Sequence, residues 1–301
     1  MMHPTFLTPN SCSTLRKVRS WVALLMVLLA APVMAQFTYT FSTGTPGYTN
    51  LSGGTNVTTG GNVNNFLDDE EHSDAINLGF TFGYDGVAYT QVKVNSNGFI
   101  SLETGDVPSG GTGTSSAYSN QNWTTVSTSM RPIICPLWDD LAGGTNNTAS
   151  VASYATTGSA PNRVFTVEWR NWRWNYNANN AVISFQCKLY ETTNVIEFIY
   201  RADPLAIVTT GSGYNSGASI GIISGSGSYY RLSNSGGSPT AVLNSGGVNN
   251  ILTKPATGQL YRFTPSGCSG PSISSTTSNT PICASSTLTL NTVATGTAPL
   301  S

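Results

Sequence analysis

Hydrophobic and polar residues alternate with a period of two through much of this chain. Ile76, Leu78, Phe80 and Phe82 are interleaved with Asn77, Gly79, Thr81 and Gly83, which is the signature of a strand with one buried face. Asp85-Gly86 follows at once, and that dipeptide between alternating runs marks a two-residue hairpin. The returning strand is predicted over residues 87–94. Asn95-Ser96-Asn97-Gly98 then turns the chain into Phe99-Ile100-Ser101-Leu102, making a three-stranded meander. The apolar run in RPIICPLWDDL, residues 131–141, reads as another strand, and more are predicted over 150–154, 163–169, 182–190, 195–200, 218–223, 229–232 and 259–263. Helix signals are nearly absent beyond the N-terminal segment, and no repeat of 20 to 50 residues is evident. The pattern predicts an all-β fold, an antiparallel β-sandwich.

The first 35 residues have a different pattern. Arg16, Lys17 and Arg19 form a cationic patch, Trp21 to Ala31 an 11-residue apolar run, and Pro32-Val33-Met34-Ala35 ends in small residues. These are the three parts of a cleaved export signal, and the apolar run is shorter than the roughly 20 residues that span a bilayer. Cleavage after Ala35 is expected, with no membrane span in the mature chain. Residues 36–266 are long enough for one sandwich core. A turn-rich joint at 264–268 leads into 267–301, where 271–273 and 286–290 read as the start of another β unit. An immunoglobulin-like sandwich needs on the order of 100 residues, so a truncated second unit is expected there.

Composition narrows the function. Three of the thirteen basic residues leave with the signal and all fourteen acidic ones stay, so ten against fourteen gives a mature net charge of −4. No basic face of the kind nucleic acid requires is formed. Gly, Ser, Thr and Asn dominate, as in turn-rich extracellular β proteins. Local disorder is expected over 109–121, 143–148 and 233–247.

Few residues offer catalytic chemistry. His72 is the one histidine of the mature chain; it lies in a polar run and reads as a solvated loop residue, and a two-histidine zinc site is excluded. Glu168, Glu197, Asp139 and Asp140 contain the carboxylates from which a glycosidase pair would be drawn. Phe165, Val167 and Trp169 share one face of their strand, which puts Glu168 on the other, where it reads as a surface residue beside Arg170. Asp139 and Asp140 follow an apolar strand end and Asp68, Asp69, Glu70 and Glu71 form a second acidic cluster. Hard oxygen ligands of this kind suit Ca²⁺, although neither segment has the spacing of a dedicated calcium loop. If the strand at 163–169 continues, Trp172, Trp174 and Tyr176 share a face, either as an exposed stripe for stacking on sugars or a protein partner or as core packing. Cys135 and Cys187 fall on buried positions, as two small hydrophobes or as a disulfide. Cys268 and Cys283 flank a Ser/Thr-rich loop and are a second candidate pair.

The phrases VNSNGFIS, PLWDDL, FTVEWRN and SFQCKLYE, in this order and spacing, resemble the nidogen-type extracellular (NIDO-like) β domain found in large surface proteins of Bacteroidetes-type bacteria. The resemblance is strong over residues 76–200. The tail CSGPSISSTTSNTPICASSTLTL is similar to the opening of Ig-like or PKD-like repeats. Together these imply a secreted or cell-surface, non-catalytic module for adhesion or scaffolding, with an extracellular protein or glycan as partner, and they transfer no catalytic residue. The alternative is a carbohydrate-binding module of a multidomain polysaccharide-degrading protein.

Overall fold

The computed structural model describes residues 37–103, 122–144, 149–207, 217–246 and 251–266, together with the backbone of 272–278 and 290–295. Two compact units divide the chain. The larger spans Gln36–Gly267; in the other, Ser272–Ser278 and Leu290–Thr295 pair as antiparallel strands. The remainder of the tail, including Cys268 and Cys283, lies outside the described residues, as do residues 1–36 and the tract 109–121 for which disorder is expected.

The larger unit is an antiparallel β-sandwich. Its strands are β1 (Tyr39–Gly44), β2 (Thr55–Asn56), β3 (Ile76–Tyr84), β4 (Val87–Asn95), β5 (Phe99–Ser101), β6 (Ile133–Trp138), β7 (Val151–Thr157), β8 (Val164–Trp172), β9 (Ile183–Tyr190), β10 (Ile196–Ala202), β11 (Ser219–Ile223), β12 (Tyr229–Leu232), β13 (Ala241–Leu243) and β14 (Leu260–Pro265). One sheet runs β1-β14-β10-β9-β8-β7-β2 and the other β13-β12-β11-β6-β5-β4-β3. A single helical turn, α1 (Val63–Phe66), is capped by Asn62, whose side chain accepts from the Asn64 amide.

Turn chemistry sets the register. Asp85 and Gly86 both have positive φ, at 52° and 74°, the requirement of the two-residue turn whose twist matches the flanking strands, and Tyr84 pairs with Val87 across it. Alternation then fixes the faces. Phe165, Val167 and Trp169 of β8 pack inward against Phe185, Cys187 and Leu189 of β9, and the Trp169 and Phe185 rings stack at 4.9 Å. A smaller apolar cluster on the outer face of the second sheet joins Phe99, Trp123, Met130, Ile133, Cys135 and Trp138. Cys135 belongs to this cluster and Cys187 to the main core, and both are free and buried. They are therefore small hydrophobes rather than a disulfide.

Other expectations change. Within the tract expected to be disordered over 233–247, Ala241–Leu243 pair with β12 as β13, while 233–240 are bends and irregular backbone. Gly143 and Gly144, at the start of the loop expected over 143–148, are buried, while 145–148 lie outside the described residues. Part of the outer face of the first sheet is covered as well. Residues 45–54 lie across it, so that Glu168 is fully buried rather than at the surface.

Candidate functional site

At one corner of the sandwich, four stretches meet: 67–73, 95–98, 138–144 and 171–178. The Asn95-Ser96-Asn97-Gly98 turn organises them. Its Asn95 side chain accepts from the Asn97 amide at 2.7 Å, and the Gly98 amide donates to the Asn95 carbonyl at 3.1 Å. Asn97 then holds the acidic segment, its side-chain oxygen accepting from the Leu141 amide at 2.8 Å and its carbonyl from the Asp139 amide at 3.3 Å. Gly98 has φ 77°, and a Cβ there would lie 2.0 Å from the Leu137 carbonyl oxygen. Only glycine fits.

Three indoles close the corner from the opposite sheet. Trp169 Nε1 donates to the Asn95 carbonyl at 3.1 Å and Trp172 Nε1 to the Ser96 carbonyl at 2.9 Å. Trp174 Nε1 donates to Asp139 Oδ2 at 2.8 Å. Trp172 and Trp174 are thus buried, at 0% and 1% exposure, and they form no exposed stripe with Tyr176, which is only half-buried. The cause is a bulge. The β8–β9 register shifts between Trp169 and Trp172, with Asn171 at φ 55°. One extra residue moves every later side chain to the other face, so Trp172 and Trp174 follow Trp169 inward.

Carboxylates gather beside these indoles. One oxygen each from Asp69, Glu70 and Asp140 lies within 4.8 Å of the others. Burial, reinforced by the charges of Glu70 and Asp68, pushes the Asp69 carboxyl up to about 6, with Arg173 opposing. Asp69 Oδ1 is buried and accepts no hydrogen bond among the described residues. Arg173, the nearby cation, directs Nε to the Gly143 carbonyl at 2.7 Å and Nη1 to that of Ala178 at 3.1 Å. The donor set of three carboxylates fits a hard cation such as Ca²⁺. Asp139 is not among the three. Its oxygens accept from Trp174 and from the Asp140 amide, and burial raises its carboxyl to about 6. The sequence thus singled out Asp140 together with a neighbour whose role is to orient the loop. It could not reveal the grouping itself, because Asp69 and Asp140 are joined only through the fold.

The other carboxylates considered for catalysis are spent on structure. Glu168 Oε1 accepts from Tyr48 Oη at 2.8 Å, the Leu51 amide at 2.9 Å and Gln186 Nε2 at 2.8 Å, fixing residues 45–54 to the sheet. Glu197 accepts from Tyr190 Oη at 2.5 Å and Arg262 Nε at 2.6 Å. His72 is half-buried, not solvated: its ring nitrogens lie 3.0 and 3.2 Å from Asn95 Nδ2, and its ring meets Phe99 edge-on at 6.0 Å.

Three of the NIDO-like phrases contribute to this corner, VNSNGFIS as the turn, PLWDDL as the acidic segment and FTVEWRN through Trp169, and residues 38–265 match the family described as NIDO related. The chain belongs to the NIDO-related family. No curated protein and no solved structure matches it. In this NIDO-related domain the turn, the acidic segment and the tryptophans hold the two sheets together at one end. Among the described residues, no helix is long and apolar enough to cross a membrane.

Proposed function

We propose that this NIDO-related chain is an exported, extracellular module without catalysis, engaged in adhesion or scaffolding through an extracellular protein or glycan. Membership of the family supports this reading. The observation that carries it is the use made of the chain's most distinctive residues. Trp169, Trp172, Trp174, Asn97 and Asp139 are all committed to internal hydrogen bonds at one corner. A motif spent on architecture serves a scaffold, whereas a catalytic motif leaves a nucleophile or base turned toward a substrate. Export predicts a mature N-terminus at Gln36, read by mass spectrometry of the secreted protein.

The test is to challenge the purified chain with a panel of glycoside and peptide substrates and, separately, with immobilised glycans and extracellular proteins. Binding without turnover is expected. Turnover abolished by Glu168→Gln or Glu197→Gln would contradict the proposal. The carbohydrate-binding alternative cannot use Trp172 or Trp174 as a platform, because both rings are buried. Any sugar must dock elsewhere.

A second reading concerns Ca²⁺ at the corner. It is favoured by the convergence of Asp69, Glu70 and Asp140 and by the cost of holding the Asp69 charge there without a cation. Bound Ca²⁺ would offset two of the three negative charges of the group and tie the 67–73 loop to the 138–144 loop, a structural rather than catalytic role.

A further inference from the structure

A cleft of about 570 Å³ opens elsewhere on the sandwich, where β3 and β4 of one sheet meet the loops at the ends of β8 and β9 of the other. An irregularity in β3 creates it. Asn77 pairs with Gln91 and Phe82 with Tyr89, so four residues of β3 face the single residue Thr90 of β4. Such bulges are concentrated at sheet edges and beside binding sites, and β3 is an edge strand. Gly79, at φ 80°, lets the chain swing out, and the Leu78 carbonyl is held by Thr156 Oγ1 at 2.8 Å. The displaced strand leaves Asn77, Thr81 and Thr90 exposed around the opening.

The opposite wall is an ion pair. Arg163 Nε donates to Glu191 Oε2 at 2.8 Å and its Nη2 to Oε1 at 2.5 Å, a two-point pair. Its Nη1 donates to the Gly79 carbonyl, and its guanidinium lies 5.7 Å from the centre of the Phe80 ring, closing the floor. Arg163 and Glu191 cancel in charge, so the cleft favours neither an anion nor a cation. It offers hydroxyls, an amide, the spare lone pairs of a fixed carboxylate and a bulge of polar backbone. Its volume lies within the roughly 300 to 1,000 Å³ of small-ligand sites, but it is a shallow, mostly polar opening rather than an enclosed apolar pocket, which suits a polar ligand end held by hydrogen bonds.

We propose that this cleft binds a neutral, hydroxyl-rich ligand, the terminal sugar of a glycan. The proposal rests on the reading of the chain as an extracellular interaction module and supplies the docking place that the buried tryptophans do not. With no exposed aromatic ring in the cleft, affinity for one sugar unit is weak, on the order of millimolar, and useful adhesion comes from many copies acting together.

The test is a glycan array on the full mature chain, followed by ¹⁵N–¹H NMR titration with the methyl glycoside of the best terminal sugar. Thr90→Trp, which fills the opening from an exposed position, is the blocking variant, and Arg163→Met is the second; thermal melting verifies that each is folded. Amide shifts at Thr81, Thr90 and Thr192, with affinity at least about tenfold weaker in folded Thr90→Trp, is the expected result. Sugar binding unchanged in both variants would overturn the cleft assignment while leaving the interaction module standing. No shift with sugar on the order of tens of millimolar would overturn the sugar inference and leave a protein partner as the module's ligand.

Discussion

Replacing Trp172 by alanine separates an architectural tryptophan from a ligand platform. The ring is fully buried, packs 6.4 Å from the Phe66 ring and donates to the Ser96 carbonyl at 2.9 Å. Truncating a buried aromatic to alanine costs about 3 to 5 kcal/mol through lost transfer energy and the cavity left behind. Leaving a buried carbonyl without its donor adds about 1 to 3 kcal/mol, less if water fills the space. The expected destabilisation is therefore about 5 kcal/mol, a large fraction of the 5 to 15 kcal/mol typical of a whole domain. With a urea slope of about 2.5 kcal/mol/M, the unfolding midpoint falls by about 2 M. Trp172→Phe keeps most of the ring and loses the hydrogen bond, for about 2 kcal/mol. Urea denaturation followed by far-ultraviolet circular dichroism measures both. An alanine variant with an unchanged midpoint and a lost ligand would refute the reasoning, since only an exposed ring behaves in that way.

Gly98→Ala forces a side chain into a left-handed conformation, at about 1 to 2 kcal/mol, and against the Leu137 carbonyl, which moves only if β5 and β6 separate. A total above about 3 kcal/mol, read as a fall in melting temperature of at least about 6 °C, is expected; an unaltered melt would show that the turn is pliable. The Asp139 carboxyl is raised in the folded state to about 6 from an ordinary 3.8. The folded protein thus binds a proton more tightly than the unfolded chain, so this contribution is complete below about pH 4 and is lost as pH rises through about 6. Asp139→Asn, studied with a chelator present, should flatten the stability profile between pH 4 and 6, and a slope unchanged from the wild type would remove Asp139 as its source. Glu168→Ala removes the acceptor of the two hydrogen bonds, from Tyr48 Oη and the Leu51 amide, that hold residues 45–54. Faster hydrogen exchange at the Leu51 amide, with the β8 and β9 amides still protected, is expected, whereas uniform loss of protection would mean that 45–54 does not detach as a unit.

Much of the fold was legible because its cues are local. Period-two alternation marked β3, β4 and β8 to β10, and Asp85-Gly86 marked a hairpin without reference to any distant residue. What was left open or misread lies where one residue changes a face or where a distant segment supplies a cover. Asn171 inserts a bulge into β8 that turns Trp172 and Trp174 inward, deciding for core packing between two readings that parity alone left open. The side of β8 that bears Glu168 was read correctly, but nothing local to that strand announces that residues 45–54 will bury it. β1, with only Tyr39 and Phe41 as apolar anchors, and β13, set in a Gly/Ser tract, carry too little hydrophobic signal to stand out. The acidic group at the corner depends on loops some seventy residues apart, so a search for compact calcium-loop spacing passes over it, even though both halves were visible as acidic clusters.

Calorimetry of the chain in calcium and in chelator tests the corner most directly. A cation that binds only the folded protein stabilises it by mass action, by about 2.7 kcal/mol at a hundred times its dissociation constant. For a domain of this size that corresponds to a rise in melting temperature of about 5 to 11 °C. The rise should disappear in Asp140→Asn, and it should shrink as pH falls through about 6, where protons compete for Asp69. Melting curves that coincide in calcium and chelator at neutral pH would contradict the assignment of Asp69, Glu70 and Asp140 as a cation site.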